Sequence, residues 1–132
     1  MKILVFGKTG QLASTLFELQ DEFKSAAFDL VFLGRDEIDF EYLDKLDDYF
    51  KEIKPDIVIN AVGYTAVDKA EIESLKAYTV NAISLMEISK YCRKYNSALI
   101  HISTDYVFDG KKNKSYIESD EAYPLSVYGK SK

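Results

Sequence analysis

Four short apolar runs, Lys2–Phe6, Leu30–Leu33, Ile57–Ile59 and Ala98–Ile102, recur along the chain with helix-period segments between most of them. Runs this short, with little polar alternation, describe strands buried on both faces, and such strands belong to a parallel sheet packed between helices. Right-handed crossovers then give a doubly wound α/β sheet with helices on both faces. The intervening pattern agrees. Leu12, Leu16 and Leu19 recur at helical spacing from Gln11 to about Ser25. Tyr42, Leu46, Tyr49, Phe50 and Ile53 mark a second helix, ended by Lys54-Pro55. A long helical region is expected from about Ala66 to Tyr95, with Tyr78, Ala82, Leu85, Ile88 and Cys92 on one side. Ser103 to Tyr123 reads mostly as loop, and Leu125 begins a last helix. There is no internal repeat and no linker, so residues 1–132 read as one domain.

The formal charge of -5 and the scattered lysines argue against a nucleic-acid partner. No apolar run approaches the roughly 20 residues of a membrane span. Cys92 is the single cysteine, so neither a disulfide framework nor a cysteine metal site is expected. We expect a cytoplasmic protein without a metal site. A homodimer is left open.

Gly7-Lys8-Thr9-Gly10-Gln11-Leu12-Ala13 joins the first strand to the first helix. At such a junction the backbone can approach a pyrophosphate, and the helix N-terminus offers free N–H groups. The pattern is Gly-x-x-Gly-x-x-Ala, and an ordinary turn needing glycine's positive φ is the alternative. At the end of the second strand, where an acidic residue commonly holds the adenosine ribose, stand Gly34 and Arg35. A guanidinium there can pair with a 2′-phosphate, with Lys8 as a second cation, which favours NADPH over NADH; Arg35 can equally pair with Asp36 or Glu37. Asp39 can cap the next helix or accept from the adenine amino group.

Tyr128 and Lys132 stand four apart, on one face of a helix if the segment is helical. A cation beside a phenol favours the phenolate and draws a tyrosine's pKa down from about 10. Such a tyrosine serves as general acid for a carbonyl under reduction. The spacing alone is common in soluble helices. Thr104, just past the fourth strand, would emerge at the carboxyl edge of the sheet, where α/β ligands bind, and could bond the keto oxygen or the Tyr128 phenol.

Four segments, Gly7–Leu12, Asn60–Glu71, Ser103–Gly110 and Pro124–Lys132, together resemble the extended short-chain dehydrogenase/reductases, and most closely the dTDP-4-dehydrorhamnose reductases. The resemblance covers the whole chain but only about the first half of such an enzyme. It implies a Rossmann-like NAD(P)-binding domain, truncated before the substrate lobe, and NADPH-dependent reduction of the 4-keto group of a dTDP-linked keto-sugar. By position it implies Gly7, Gly10, Gln11 and Leu12 at the pyrophosphate, Asp39 and Phe40 at the adenine, and Gly63, Tyr64 and Thr65 along the cofactor's path. Thr104 and Asp105 correspond to the substrate-contacting pair, and Tyr128 with Lys132 to the catalytic pair, Lys132 also holding the nicotinamide ribose. Gly34 departs from members with an acidic residue there, and Val62 and Gly63 depart from the commoner Ala-Ala-Ala run. Two other readings stand beside it: a sugar-nucleotide epimerase or dehydratase, and a non-catalytic regulatory subunit like that of methionine adenosyltransferase. The terminal helix is expected to fray, leaving these 132 residues able to bind a dinucleotide without turning over substrate.

The remaining candidates have plainer readings. His101 is expected as a hydrogen-bonded core or edge histidine, Cys92 as packing, and Asn81 as a helix-packing amide in preference to a proton relay. Asp68, Glu71 and Glu73 suit a helix start through its dipole. The ten tyrosines read as packing with a polar end.

Overall fold

The computed structural model describes residues 1–132. Strands β1 (Lys2–Phe6), β2 (Asp29–Leu33), β3 (Ile57–Asn60) and β4 (Ala98–His101) form one parallel sheet in the order β2-β1-β3-β4. Leu4 lies opposite Val31 and Val58, and Val58 opposite Leu99. Alternate residues of β1 therefore serve two cores. Leu4, Phe6 and Val58 pack against Leu46, Phe50 and Ile53 of α3 (Leu46–Ile53) and Ile88 and Cys92 of α6 (Ser84–Tyr95). Ile3 and Val5 face Ala13 of α1 (Gln11–Glu18) on the other side. Burying each of the larger side chains contributes about 1.5–3 kcal/mol, which is what holds the helices to the sheet. The first core is the larger, and the tyrosines Tyr91 and Tyr95 of α6 close it by packing on Phe50 at 5.8 and 5.5 Å.

The strands fall where the apolar runs place them, β4 ending one residue early. The helices are more divided. The segment from Gln11 breaks at Leu19 into α1 and α2 (Gln20–Ser25), and the turn after α2 brings Phe23 edge-on to Phe28 at 6.2 Å before the chain enters β2. The second helix begins at Leu46, because Asp39 and Leu43 close a turn of their own: Leu43 N–H donates to the Asp39 carbonyl, and Leu43 is left-handed at φ 49°. The long region divides into α4 (Val67–Ala70), α5 (Ser74–Tyr78), a π turn (Thr79–Ile83) and α6. The last helix, α7, spans Val127–Ser131.

Burial of the sheet on both faces holds for β1 but not for β4. There Ala98 and Ile100 point to the α1 side, where no helix covers them, and Ile100 is 47% exposed.

Candidate active site

A cleft of about 460 Å³ opens at the carboxyl ends of β1, β2 and β3, the edge at which doubly wound sheets take ligands. Its floor is the glycine turn, with Gly7 at φ 110°, a conformation that favours glycine. A Cβ on Gly7 would meet Val62 and the Ala61 carbonyl at 3.5–3.6 Å, so the turn and the loop after β3 are in near contact. Gly7, Gly10, Arg35, Asp39, Phe40, Gly63, Tyr64 and Thr65 all line this cleft. Gln11 and Leu12 do not; they are exposed on the first turn of α1. Phe40 turns its ring into the core, edge-on to Phe6 at 5.4 Å, and is 7% exposed.

The cations around the cleft are not equivalent. Lys8 is ion-paired with Glu37, and Lys76 with Glu41 at 2.9 Å, whereas Arg35 is exposed and makes no ion pair with Asp36, Glu37 or any other carboxylate. Lys8 as a free second cation is thus corrected. Asp39 does not cap α3; its carboxylate accepts from Glu41 N–H at 2.8 Å, within its own turn.

Beyond Thr65 the cleft's wall leads to α7. The link is Asn81, 2% exposed and central in the π turn. Its side-chain oxygen accepts from Tyr64 N–H at 2.8 Å, and its amide donates to the Tyr64 carbonyl at 3.0 Å and to Ser131 Oγ at 2.8 Å. Ser131 in turn donates to the Tyr128 carbonyl at 2.7 Å. A π turn is a frequent mark of functional sites, and here it presents one amide to two elements at once. Asn81 therefore packs as expected, with bonds to specific partners that spacing alone does not reveal.

Helix α7 has a single turn, yet it is held at several points. Ser126 caps it by accepting from Gly129 N–H at 3.0 Å, and Glu71 accepts from Val127 N–H at 2.8 Å. Tyr128, Gly129 and Ser131 are buried, so the expected fraying of an isolated helix does not describe this packed one. Gly129 permits the closest approach: a Cβ there would overlap the Tyr106 carbonyl oxygen. Tyr106 belongs to the 3-10 turn Asp105–Val107, and its ring meets Tyr128 edge-on at 5.5 Å. Thr104 and Asp105 are thereby brought beside the Tyr128 helix.

Lys132 follows α7, its ammonium donating to the Ile102 carbonyl at 2.6 Å and lying 3.8 Å from where a Gly63 Cβ would stand. Burial pushes its pKa down. The Thr104 hydroxyl bonds Asp105 at 3.2 Å and accepts from Tyr106 N–H at 3.3 Å; it makes no bond to the Tyr128 phenol. His101 shares a hydrogen bond with Asn60 at 3.3 Å through Nδ1, its Nε2 is buried without a partner, and burial followed by the Lys132 charge lowers its pKa. Glu71 and Glu73 do more than suit a helix dipole: the first tethers α7, and the second accepts from the Tyr64 hydroxyl at 2.8 Å. No group of histidine, cysteine and carboxylate side chains with metal-binding geometry is present, and no helix is long and apolar enough to cross a membrane.

Comparison with known proteins agrees with this fold. The chain is 39% identical to a dTDP-4-dehydrorhamnose reductase of Aggregatibacter actinomycetemcomitans over 99% of its own length and 44% of that protein. It is 40% identical to the enzyme of that name from Escherichia coli K12, again across 44% of the relative. Among solved structures, a dTDP-4-dehydrorhamnose reductase of Clostridium acetobutylicum superposes with a TM-score of 0.90 at 36% identity, covering 99% of this chain and 46% of that one. One from Bacillus anthracis, in complex with NADP, gives 0.89 at 32% identity, covering 98% and 46%. A UDP-glucose 4-epimerase of Thermus thermophilus, 19% identical with a TM-score of 0.85, shares the Rossmann-like fold. The chain thus spans less than half the length of the curated relatives it matches. The family described as RmlD substrate binding domain matches residues 1–132, the whole of the chain, and this protein belongs to that family.

Proposed function

We propose that the chain forms the cofactor-binding part of an NADPH-dependent reductase that converts the 4-keto group of dTDP-4-dehydro-L-rhamnose to the alcohol, with Tyr128 as general acid. The observation that carries this reading is the continuity from the glycine turn, along Gly63–Thr65, through Asn81 to α7 with Tyr128 and Lys132. The relatives' names supply the substrate class.

The residues suit a dinucleotide. Gly7 and Gly10 add no side chains of their own to the cleft floor, beside the N-terminus of α1. Gly63 adjoins both Asn81 and Lys132: a Cβ there would stand 3.4 Å from Asn81 Oδ1 and 3.8 Å from the Lys132 ammonium. Gln11 and Leu12 contribute through backbone at the helix start. Arg35 would hold a 2′-phosphate, and Asp39 with the backbone at Phe40 would border the adenine. Gly63, Tyr64 and Thr65 would line the way to the nicotinamide, whose ribose Lys132 would hold. When bound, the reduced nicotinamide supplies the hydride. Thr104 and Asp105 orient the sugar, the Thr104 hydroxyl turning from Asp105 to the keto oxygen. Tyr128 gives its phenolic proton to that oxygen as negative charge develops on it. Lys132, four residues after Tyr128, supplies the cation that favours the phenolate left behind.

The test is oxidation of NADPH by the full-length protein with dTDP-4-dehydro-L-rhamnose. Tyr128→Phe is expected to lower kcat/KM by about 10²–10⁴-fold, the usual contribution of a general acid. Unchanged turnover in that variant would exclude Tyr128 as the acid. The 132 residues alone are expected to bind the dinucleotide without turnover.

A further inference from the structure

Gly34 ends the second strand where an acidic side chain would commonly hold the adenosine ribose, and the structure shows what fills that space. A Cβ on Gly34 would stand 2.8 Å from Lys8 Cδ and 3.1 Å from Lys8 Cγ, so the lysine chain lies across the glycine. Its ammonium meets one oxygen of Glu37, while the other Glu37 oxygen accepts from Gly34 N–H at 2.8 Å. The Gly34 carbonyl accepts from Ile38 N–H at 3.0 Å and Glu37 N–H at 3.2 Å, which fixes the turn that returns Glu37 over the strand end. A carboxylate is therefore present beside position 34, supplied from three residues later and neutralised by Lys8. Lys8 and Arg35 line the same cleft.

We propose that the Lys8–Glu37 pair sets the choice between phosphorylated and unphosphorylated dinucleotide. This rests on the dinucleotide reading of the cleft. With the pair closed, Arg35 alone faces a 2′-phosphate. When Lys8 is released it adds a second charge-assisted contact to that phosphate. When Glu37 is released it accepts from the ribose hydroxyls and repels a phosphate. The pair thus tempers both preferences, and removing either partner exposes the other.

The two variants make opposite demands. Glu37→Gln keeps an acceptor for Gly34 N–H and frees Lys8; Lys8→Gln frees the Glu37 carboxylate. Calorimetric titration of NADPH and of NADH into the full-length protein is expected to show the ratio of Kd for NADH to Kd for NADPH rising about tenfold in Glu37→Gln and falling about tenfold in Lys8→Gln, a difference of about 1.4 kcal/mol each way. The double variant returns toward the starting ratio. Equal changes for both dinucleotides, or shifts in the same direction, would overturn the proposal and leave the cleft a dinucleotide site. Binding of neither dinucleotide to the unaltered protein would overturn the cleft reading itself, and the proposal with it.

Discussion

Cys92 and Lys8 show how far a single residue can be read from its neighbours in sequence. Cys92 falls on the apolar side of a helical pattern, and it lies 3% exposed in the larger core, where burial pushes its thiol up to about 11. The thiolate is the reactive form, so iodoacetamide at pH 8 is expected to leave Cys92 essentially unmodified in the native protein and to modify it fully in denaturant, as mass spectrometry would report. Rapid native labelling would contradict the packing described here. Lys8 was not legible in the same way. Its partner lies 29 residues away, and the contact exists only because β1 and β2 are neighbours and position 34 lacks a side chain. Arg35, beside it, kept the free charge that its sequence context left undecided.

At the scale of elements, the strands were legible because burial on both faces writes an uninterrupted apolar run. The helix breaks were not. Periodicity continues through Leu19 and through the π turn with little change, since tertiary contacts, not propensity, decide where the chain turns. The junction of the 3-10 turn with α7 was likewise hidden, because it depends on backbone passing backbone at Gly129. Gly129→Ala is expected to force those elements apart, costing about 1–3 kcal/mol in urea unfolding and most of the turnover of the full-length protein. A variant as stable and active as the original would show that the approach is dispensable. Sequence context points Thr104 and Tyr128 to one site, and the structure brings their elements together without a direct bond between the two side chains.

For the whole molecule, the acidic composition hides an asymmetry in how its carboxylates are held. Asp47 links α3 to α6: Lys51 and Lys94 donate at 2.7 Å and the Tyr95 hydroxyl at 2.8 Å, together holding its pKa well below the usual carboxylate range. Glu37, through Lys8 and then Gly34 N–H, and Asp120, through Lys112 and then Ile117 N–H, are also lowered. Asp109 is lowered first by Lys111 N–H, with the Tyr116 hydroxyl adding to it. A carboxylate whose folded pKa is depressed contributes stability that is present above its unfolded pKa, near 4, and is lost as pH falls through the folded value. Urea midpoints are therefore expected to be flat from pH 7 to about 5 and to fall below about 4, with a shallower fall in Asp47→Asn. An acid limb unchanged by that substitution would remove Asp47 from the account.

The π turn has one more consequence, which concerns chain length. Between Tyr78 and Ser84 the backbone carries about one residue more than an α-helical path would need. Asn81 makes its three bonds to Tyr64 and Ser131 from this widened turn. The same turn seats Val80 in the larger core, just after Ala77 packs beneath Tyr128, so its register serves the fold as well. Loss of one residue there would turn α5 by about 100° against α6, so the length of this segment holds the Ala77 and Val80 packing and the Asn81 bonds in one register.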